Sequence, residues 1–464
     1  MAQTSFKTLA LLGSLAIGSA SVAVAQDSGP LIDKLVAKGI LTDQEGEDLR
    51  VDLLKDFGTT SPGKLDISSA VTKLKISGDA RVRYQFDNEI PNPDSPVTNQ
   101  AANDRDRNRY RYRVRLGLEA ELGPKWTAAT RLETASSATS TNADLGNGAD
   151  NFGKTGDEVY FGQAYLNFKD TGVLNSDSID VRVGKLPHKF FNPGVNGFWI
   201  DSDINFEGAA QEIVYSDIGL KDSKLSTRAG QFILNNNAVN ASASGAGSPT
   251  AAATGQSVDP SMLLMGQVEY ATKSWKVAPT VVSFSAPSQH DRSTITALQG
   301  ADVNVYDNLA AIIVPFEYKL TLGSKPLALY ATYGYNTSGE NRARRLSGGS
   351  GANDATMYNA GVRYGENKLA GDYQLVGEYR HVGNGAYSSL LLDSDFNGGL
   401  LNAQGYILSG SYSFTSAVTG TITYFNSFNI QDNLGTGSTS GTPTNRGNGF
   451  GAAQVLQVDL SAKF

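Results

Sequence analysis

Six arginines fall on alternate positions of one stretch, Asp104 to Leu122. They are Arg105, Arg107, Arg109, Arg111, Arg113 and Arg115, and Glu119 and Glu121 continue the same parity. Between them stand Tyr110, Tyr112, Val114, Leu116, Leu118 and Leu122. Successive side chains of a β-strand point to opposite faces, so as a strand this segment has one charged and one apolar face. As a helix it would scatter the arginines and form no apolar stripe. Guanidiniums stay charged and hold carboxylates, solute anions or water, so the chemistry on offer is binding and electric field. Two settings suit such a strand. A soluble sandwich would turn the arginines to water. A transmembrane barrel would turn them to a wet lumen and give the apolar face to lipid.

Other charged candidates follow the same pattern. Arg81 and Arg83 share a strand face with Asp79 and Gln85, and Arg131 shares one with Glu133. The stretch Leu186 to Gly208, L-P-H-K-F-F-N-P-G-V-N-G-F-W-I-D-S-D-I-N-F-E-G, stands apart from the other long connections. Those read as small and polar, whereas this one carries Phe190, Phe191, Phe198, Trp199, Ile200, Ile204 and Phe206. Apolar side chains on a water-facing loop imply that the loop is packed somewhere. Folding into a barrel would bury them and set Asp201, Asp203 and Glu207 opposite the arginines. The alternative is a cluster that stabilises a surface loop or a subunit contact.

Asp201, Asp203 and Asn205 also have the spacing of a calcium loop, but Phe206 stands where such a loop needs glycine, so the signal is weak. His188, His290 and His381 form no ligand spacing, and the chain has no cysteine. His188 beside Lys189 reads as a solvated loop histidine or as extra positive charge in a constriction. No serine lies in a nucleophile elbow, and the paired glycines of polar loops open no helix. No cofactor, no metal and no enzymatic reaction are expected, and the net charge of −7 gives no reason to expect nucleic acid.

The elements that must position these residues are legible in order. Residues 1–25 read as a secretory signal, with Lys7 followed by a small, apolar run and Ala23-Val24-Ala25 before Gln26. No later segment approaches the roughly 20 apolar residues of a membrane helix. Residues 26–70 hold a helix–turn–helix with a Thr42/Glu45 capping box, then a polar linker. From residue 71 to 464 the pattern is alternating strands, near 75–87, 104–122, 126–133, 157–169, 178–186, 208–216, 224–235, 261–271, 274–285, 310–321, 326–336, 355–365, 369–381, 402–414, 418–429 and 453–464. That makes about sixteen, an even number as bacterial barrels have. Long polar connections alternate with short turns, which a Greek-key sandwich has no reason to do. Aromatics fall near both strand ends, Tyr84, Tyr110, Tyr333, Tyr358 and Tyr406 at one and Trp126, Tyr412, Phe414 and Phe464 at the other, as two interfacial girdles require. The fold expected is all-β: a transmembrane antiparallel barrel of about sixteen strands, with a short periplasmic helical segment before it.

Sixteen strands, an inward third loop with acids and a facing arginine ladder resemble the general-diffusion porins. The stretch G-K-L-P-H…D-S-D-I-N-F-E-G-A-A, Gly184 to Ala210, with the exported helix–turn–helix, resembles the "putative porin" family of Gram-negative outer membranes more closely. The terminal strand ending on Phe464 resembles the assembly signal of such barrels. The likeness implies a pore in the outer membrane, in contact with lipid and lipopolysaccharide, trimeric or monomeric, with a homotrimer expected. It implies a lining role for the arginines and for Asp201, Asp203 and Glu207. The function expected is passive diffusion of small hydrophilic solutes and ions with weak anion preference. The alternatives are a channel selective for phosphate, another anion or a sugar, and a secreted adhesive β-protein.

Overall fold

The computed structural model describes residues 29–60, 68–91, 104–135, 140–146, 158–235, 261–285, 309–340, 354–431 and 450–464. The proposed signal segment lies outside them, as do large parts of the other long connections. The chain divides into two compact units, Met1–Ser68 and Ser69–Phe464.

The first unit contains α1 (Gly29–Ala37) and α2 (Asp43–Thr60). The capping box forms: the Thr42 amide donates to Glu45 Oε2 at 2.8 Å and the Glu45 amide to Thr42 Oγ1 at 3.2 Å. Each bond satisfies an amide that has no partner within the helix. Gly46 brings α2 close to Ile32 and Val36 of α1.

The second unit is one closed antiparallel sheet. Its spanning strands are β1 (Lys73–Pro91), β2 (Arg105–Glu121), β3 (Trp126–Ala135), β4 (Glu158–Asp170), β5 (Ser178–Pro187), β6 (Asn205–Ser216), β7 (Lys224–Asn235) and β8 (Ser261–Ala271). Then come β9 (Trp275–Val277, resumed as Thr280–Ser285), β10 (Ala310–Leu322), β11 (Lys325–Asn336), β12 (Thr356–Gly365), β13 (Tyr373–Val382), β14 (Ala403–Ser413), β15 (Val418–Asn429) and β16 (Phe450–Lys463). Every strand pairs with its neighbours in sequence, and β16 pairs with β1, which closes the ring and leaves no open edge. Pro279 interrupts β9 because proline has no amide to give the ladder. A two-residue strand, Ala143–Asp144, turns back onto β2.

Sixteen strands is the number the alternation gives, and their ends differ in places. β1 runs on to Pro91, and β6 begins at Asn205. β13 begins at Tyr373 and not at 369, because the Asp372 carboxylate accepts the amides of Lys368 and Leu369 and holds them in a turn. The outward face is apolar, with Val82, Val114, Ile312, Leu329, Leu375 and Leu408 exposed. Lipid is the solvent that such a face requires. Aromatics sit on it near the strand ends, Tyr84 against Tyr110 on the long-loop side, and Trp126 against Phe168 and Tyr412 against Phe414 on the short-turn side.

Candidate functional site: a charged wall facing two inward loops

The register of β1 against β2 sets the wall. Arg115 lies opposite Asp79, Arg113 opposite Arg81, Arg111 opposite Arg83 and Arg109 opposite Gln85. All these positions share the inward face. Like charges opposed on one sheet face repel, so the arrangement persists only with acids placed among them. Arg83 donates to Asp459 of β16 at 2.7 and 2.8 Å and lies 3.7 Å from Asp395. Arg109 reaches Asp87 at 2.8 Å, Arg111 reaches Asp144 at 2.6 Å, and Arg115 reaches Asp79 at 2.6 Å. Arg113 bonds Asp79 at 3.1 Å and Asp203 at 3.3 Å. Arg107 is exposed with Asp144 at 3.4 Å, and Arg131 holds Glu133 at 2.8 Å. Arg81 donates to the Asn142 side-chain carbonyl.

The other side of the lumen is filled by packed side chains. Phe190, Phe198, Trp199 and Ile200 of the loop between β5 and β6 are buried against Phe232, Leu263, Ile313 and Met357 of the barrel wall. A second loop, between β13 and β14, adds Tyr387, Leu391, Leu392 and Leu401 to the same cluster. Two loops therefore fill part of the barrel, not one. Their seam is polar and specific. The Asp201 amide donates to the Leu391 carbonyl at 2.8 Å, and Asn196 Nδ2 donates to Asp395 at 3.0 Å. Arg380 of β13 is fully buried beneath them. It donates to Glu378 at 2.8 Å, to Asp393 at 3.0 Å and to the Val195 carbonyl, with the rings of Phe198 and Phe396 on either side.

Both loops carry the tripeptide Asp-Ser-Asp, at Asp201–Asp203 and at Asp393–Asp395, and use it in the same way. The first aspartate accepts the amide of the second, Asp203 to Asp201 at 2.9 Å and Asp395 to Asp393 at 3.0 Å. The second aspartate reaches an arginine of the opposite wall, Asp203 to Arg113 and Asp395 to Arg83. Asp201 is half-buried, and the loss of water pushes its carboxyl up to about 6, with the charges of Asp203 and Asp395 adding to the rise. The amides of Asp203 and Ser394 act in the opposite sense.

Open space runs along the charged wall. A cavity of about 1460 Å³ on the long-loop side is lined by ladder arginines together with Asp87, Thr141, Asn142, Asp203 and Asp395. A second of about 380 Å³ lies on the short-turn side, lined by Asp79, Glu119, Arg131, Gln163 and Lys463. Arg115 lines both. Basic and acidic residues line the larger cavity in nearly equal number.

Most of the residues singled out in the sequence meet here, with three corrections. Glu207 is exposed and pairs with Lys185 at 3.4 Å, not with the ladder, because Phe206 before it takes the inward direction. Asp201, Asp203 and Asn205 do not converge on one point: Asp201 accepts backbone amides, Asp203 faces arginines, and Asn205 accepts from Gln163 at 2.9 Å. His188 is half-buried against Phe190 and Phe206, and the loss of water there brings its pKa down to about 4, so it is neutral near pH 7. Asp395, Asp459, Asp87 and Asp144 were not singled out from the sequence. A second Asp-Ser-Asp after Leu390-Leu391-Leu392 was the readable signal for Asp395.

A closed sixteen-stranded sheet with an apolar outside and a charged cavity through its lumen defines a porin-type channel of the outer membrane. The chain belongs to the family described as "Putative porin", whose model matches residues 65–269 and 320–464. Solved structures that align with the chain include OmpF of Salmonella typhi in complex with daunomycin, at 13% identity, 86% of this chain, 99% of that chain and a TM-score of 0.47. OpdQ of Pseudomonas aeruginosa aligns at 13% identity, 86% and 99% coverage and a TM-score of 0.43. A mutant of the Rhodopseudomonas blastica porin aligns at 11% identity, 84% and 100% coverage and a TM-score of 0.41. No curated protein sequence matches the chain.

Proposed function

We propose that this porin lets small hydrophilic solutes and ions diffuse passively across the outer membrane, without catalysis, with weak anion preference. The observation that carries this is the run of open space along the arginine wall, beside a lumen otherwise packed by two loops. Opposed guanidiniums and carboxylates hold ordered water and polar solutes, while an apolar solute must give up its hydration to pass. Near balance of charge in the larger cavity keeps the preference weak. In this reading the long loops face outward beside lipopolysaccharide, the short turns and the N-terminal helices lie in the periplasm, residues 1–25 are a cleaved signal, and three copies assemble.

Single-channel recording in a planar bilayer tests it. The purified protein is expected to give a stable conductance with a small anion-directed reversal potential in a salt gradient. Replacing Arg111, Arg113 and Arg115 together by alanine leaves acids in excess, and is expected to turn that potential cation-directed and change the conductance by about twofold or more, since rings of charge set both quantities. Unchanged conductance and selectivity in that variant would remove the ladder from the pore.

A further inference from the structure

Arg81 differs from its neighbours on the wall. Arg83, Arg111, Arg113 and Arg115 each have a carboxylate within ion-pair distance, whereas Arg81 forms no ion pair among the described residues. It lies directly opposite Arg113, with the Arg83–Arg111 pair one step further along the same face. Its terminal nitrogen donates to Asn142, but its Nε is buried without an acceptor among the described residues, and so is the Nε of Arg113. The two arginines stand opposite each other and only Arg113 holds carboxylates, so the pair has room for one more anion. Leaving a buried donor unmade is costly, and a guanidinium fork matches an oxyanion closely. Both arginines line the larger cavity, so a solute there meets the guanidiniums and not the buried Nε atoms.

We propose that the Arg81–Arg113 pair is an oxyanion-binding station in the permeation path, taking a carboxylate or a phosphate group. This rests on the channel reading and adds the class of solute the channel prefers. An anion held there completes the wall's charge pairing and is passed on past Arg115, which lines both cavities. Arg81 would recognise it and Arg113, already shared with Asp79 and Asp203, would supply the second charge.

The test uses the full-length protein with inorganic phosphate and with acetate as separate probes. Each is titrated into a bilayer channel carrying chloride current. In parallel, radiolabelled phosphate binding is measured on the detergent-solubilised barrel, which needs no conduction. Saturable reduction of the chloride current and saturable binding are expected. Arg81→Gln is expected to weaken both by about tenfold, the worth of one charge-assisted contact, and Arg81→Lys by less, because charge remains and the fork is lost. Reduction by phosphate alone would assign the station to phosphate, and by both to oxyanions in general. Equal binding and equal block in wild type and Arg81→Gln would overturn the proposal, as would absence of binding and block in the wild type. Phosphate binding lost in Arg81→Gln without any wild-type conductance would keep the station and fail the channel reading.

Discussion

The arginines of the wall, Arg81 excepted, are held by acids of neighbouring strands and loops, and one of those acids comes from the far end of the chain. Arg83 and Asp459 are separated by 376 residues, so no inspection of spacing could have joined them. The alternation that makes the ladder a strand face was readable, and Asp203 was readable as an acid opposite it. Which arginine it meets depended on the register between β1 and β2 and on the depth of the loop. Asp203 and Asp395 are the two acids that the loops present to the wall. Removing either charge should make the cavity more positive. Asp203→Asn and Asp395→Asn are each expected to raise the chloride-over-potassium permeability ratio by about twofold, read from reversal potentials. A ratio that stays at the wild-type value would place both acids outside the path. Asp201 sits at the seam between the loops with its carboxyl raised from 3.8 to about 6. A carboxyl raised on folding favours the folded state most when protonated. Its contribution is fully present below about pH 4 and is lost as pH rises through about 6. The seam is therefore expected to be tighter at pH 5 than at pH 7.5. Loop-derived current fluctuations should fall as the pH is lowered from 7.5 to 5 in the wild type and lose this dependence in Asp201→Asn.

The strands were readable because both faces of each are constrained, one by lipid and one by a polar lumen. Alternation is then close to obligatory. Their ends were less so. A turn captured by the Asp372 side chain shortened β13, and nothing in the period announces such a capture. The loop between β5 and β6 declared itself through its aromatic residues. The loop between β13 and β14 did not, because glycine, serine and asparagine surround its leucines and give it a polar average. The first of these loops also needs a backbone feature that alternation cannot show. Gly184 and Gly208 face each other across β5 and β6 at φ of 129° and 151°, and a Cβ on either would lie about 2 Å from a neighbouring carbonyl oxygen. That bend is what lets Leu186 and Phe206 turn into the core. Arg380 fastens the second loop to the first. Arg380→Ala would strand Glu378 and Asp393 as buried, uncompensated charges, an effect of about 3–5 kcal/mol. The expected result is a lower temperature for the heat-induced gel shift and a noisier, larger conductance, as the loops leave the lumen. A variant with wild-type noise and thermal stability would show that the packed apolar cluster holds the loops without Arg380.

At the scale of the whole molecule, closure is made by β16 against β1, where the Phe464 amide donates to the Gly78 carbonyl at 3.0 Å and the Gly78 amide returns to Phe464 at 2.8 Å. The barrel and its sixteen strands were thus legible before any coordinates, while the asymmetry of its lumen was not. That asymmetry depends on which inward positions the loops cover. Ser140 and Gln163 line the open cavities, whereas Thr332, also inward, is only 2% exposed beneath the packed side. The chain contains no cysteine, so single cysteines can be placed without background. The most direct test is the rate at which a charged, water-soluble thiol reagent modifies Ser140→Cys, Gln163→Cys and Thr332→Cys in the conducting channel, read as a step in current. Rapid modification at 140 and 163, with none at 332, is the expected result. Equal rates at all three positions would contradict a path confined to the arginine wall.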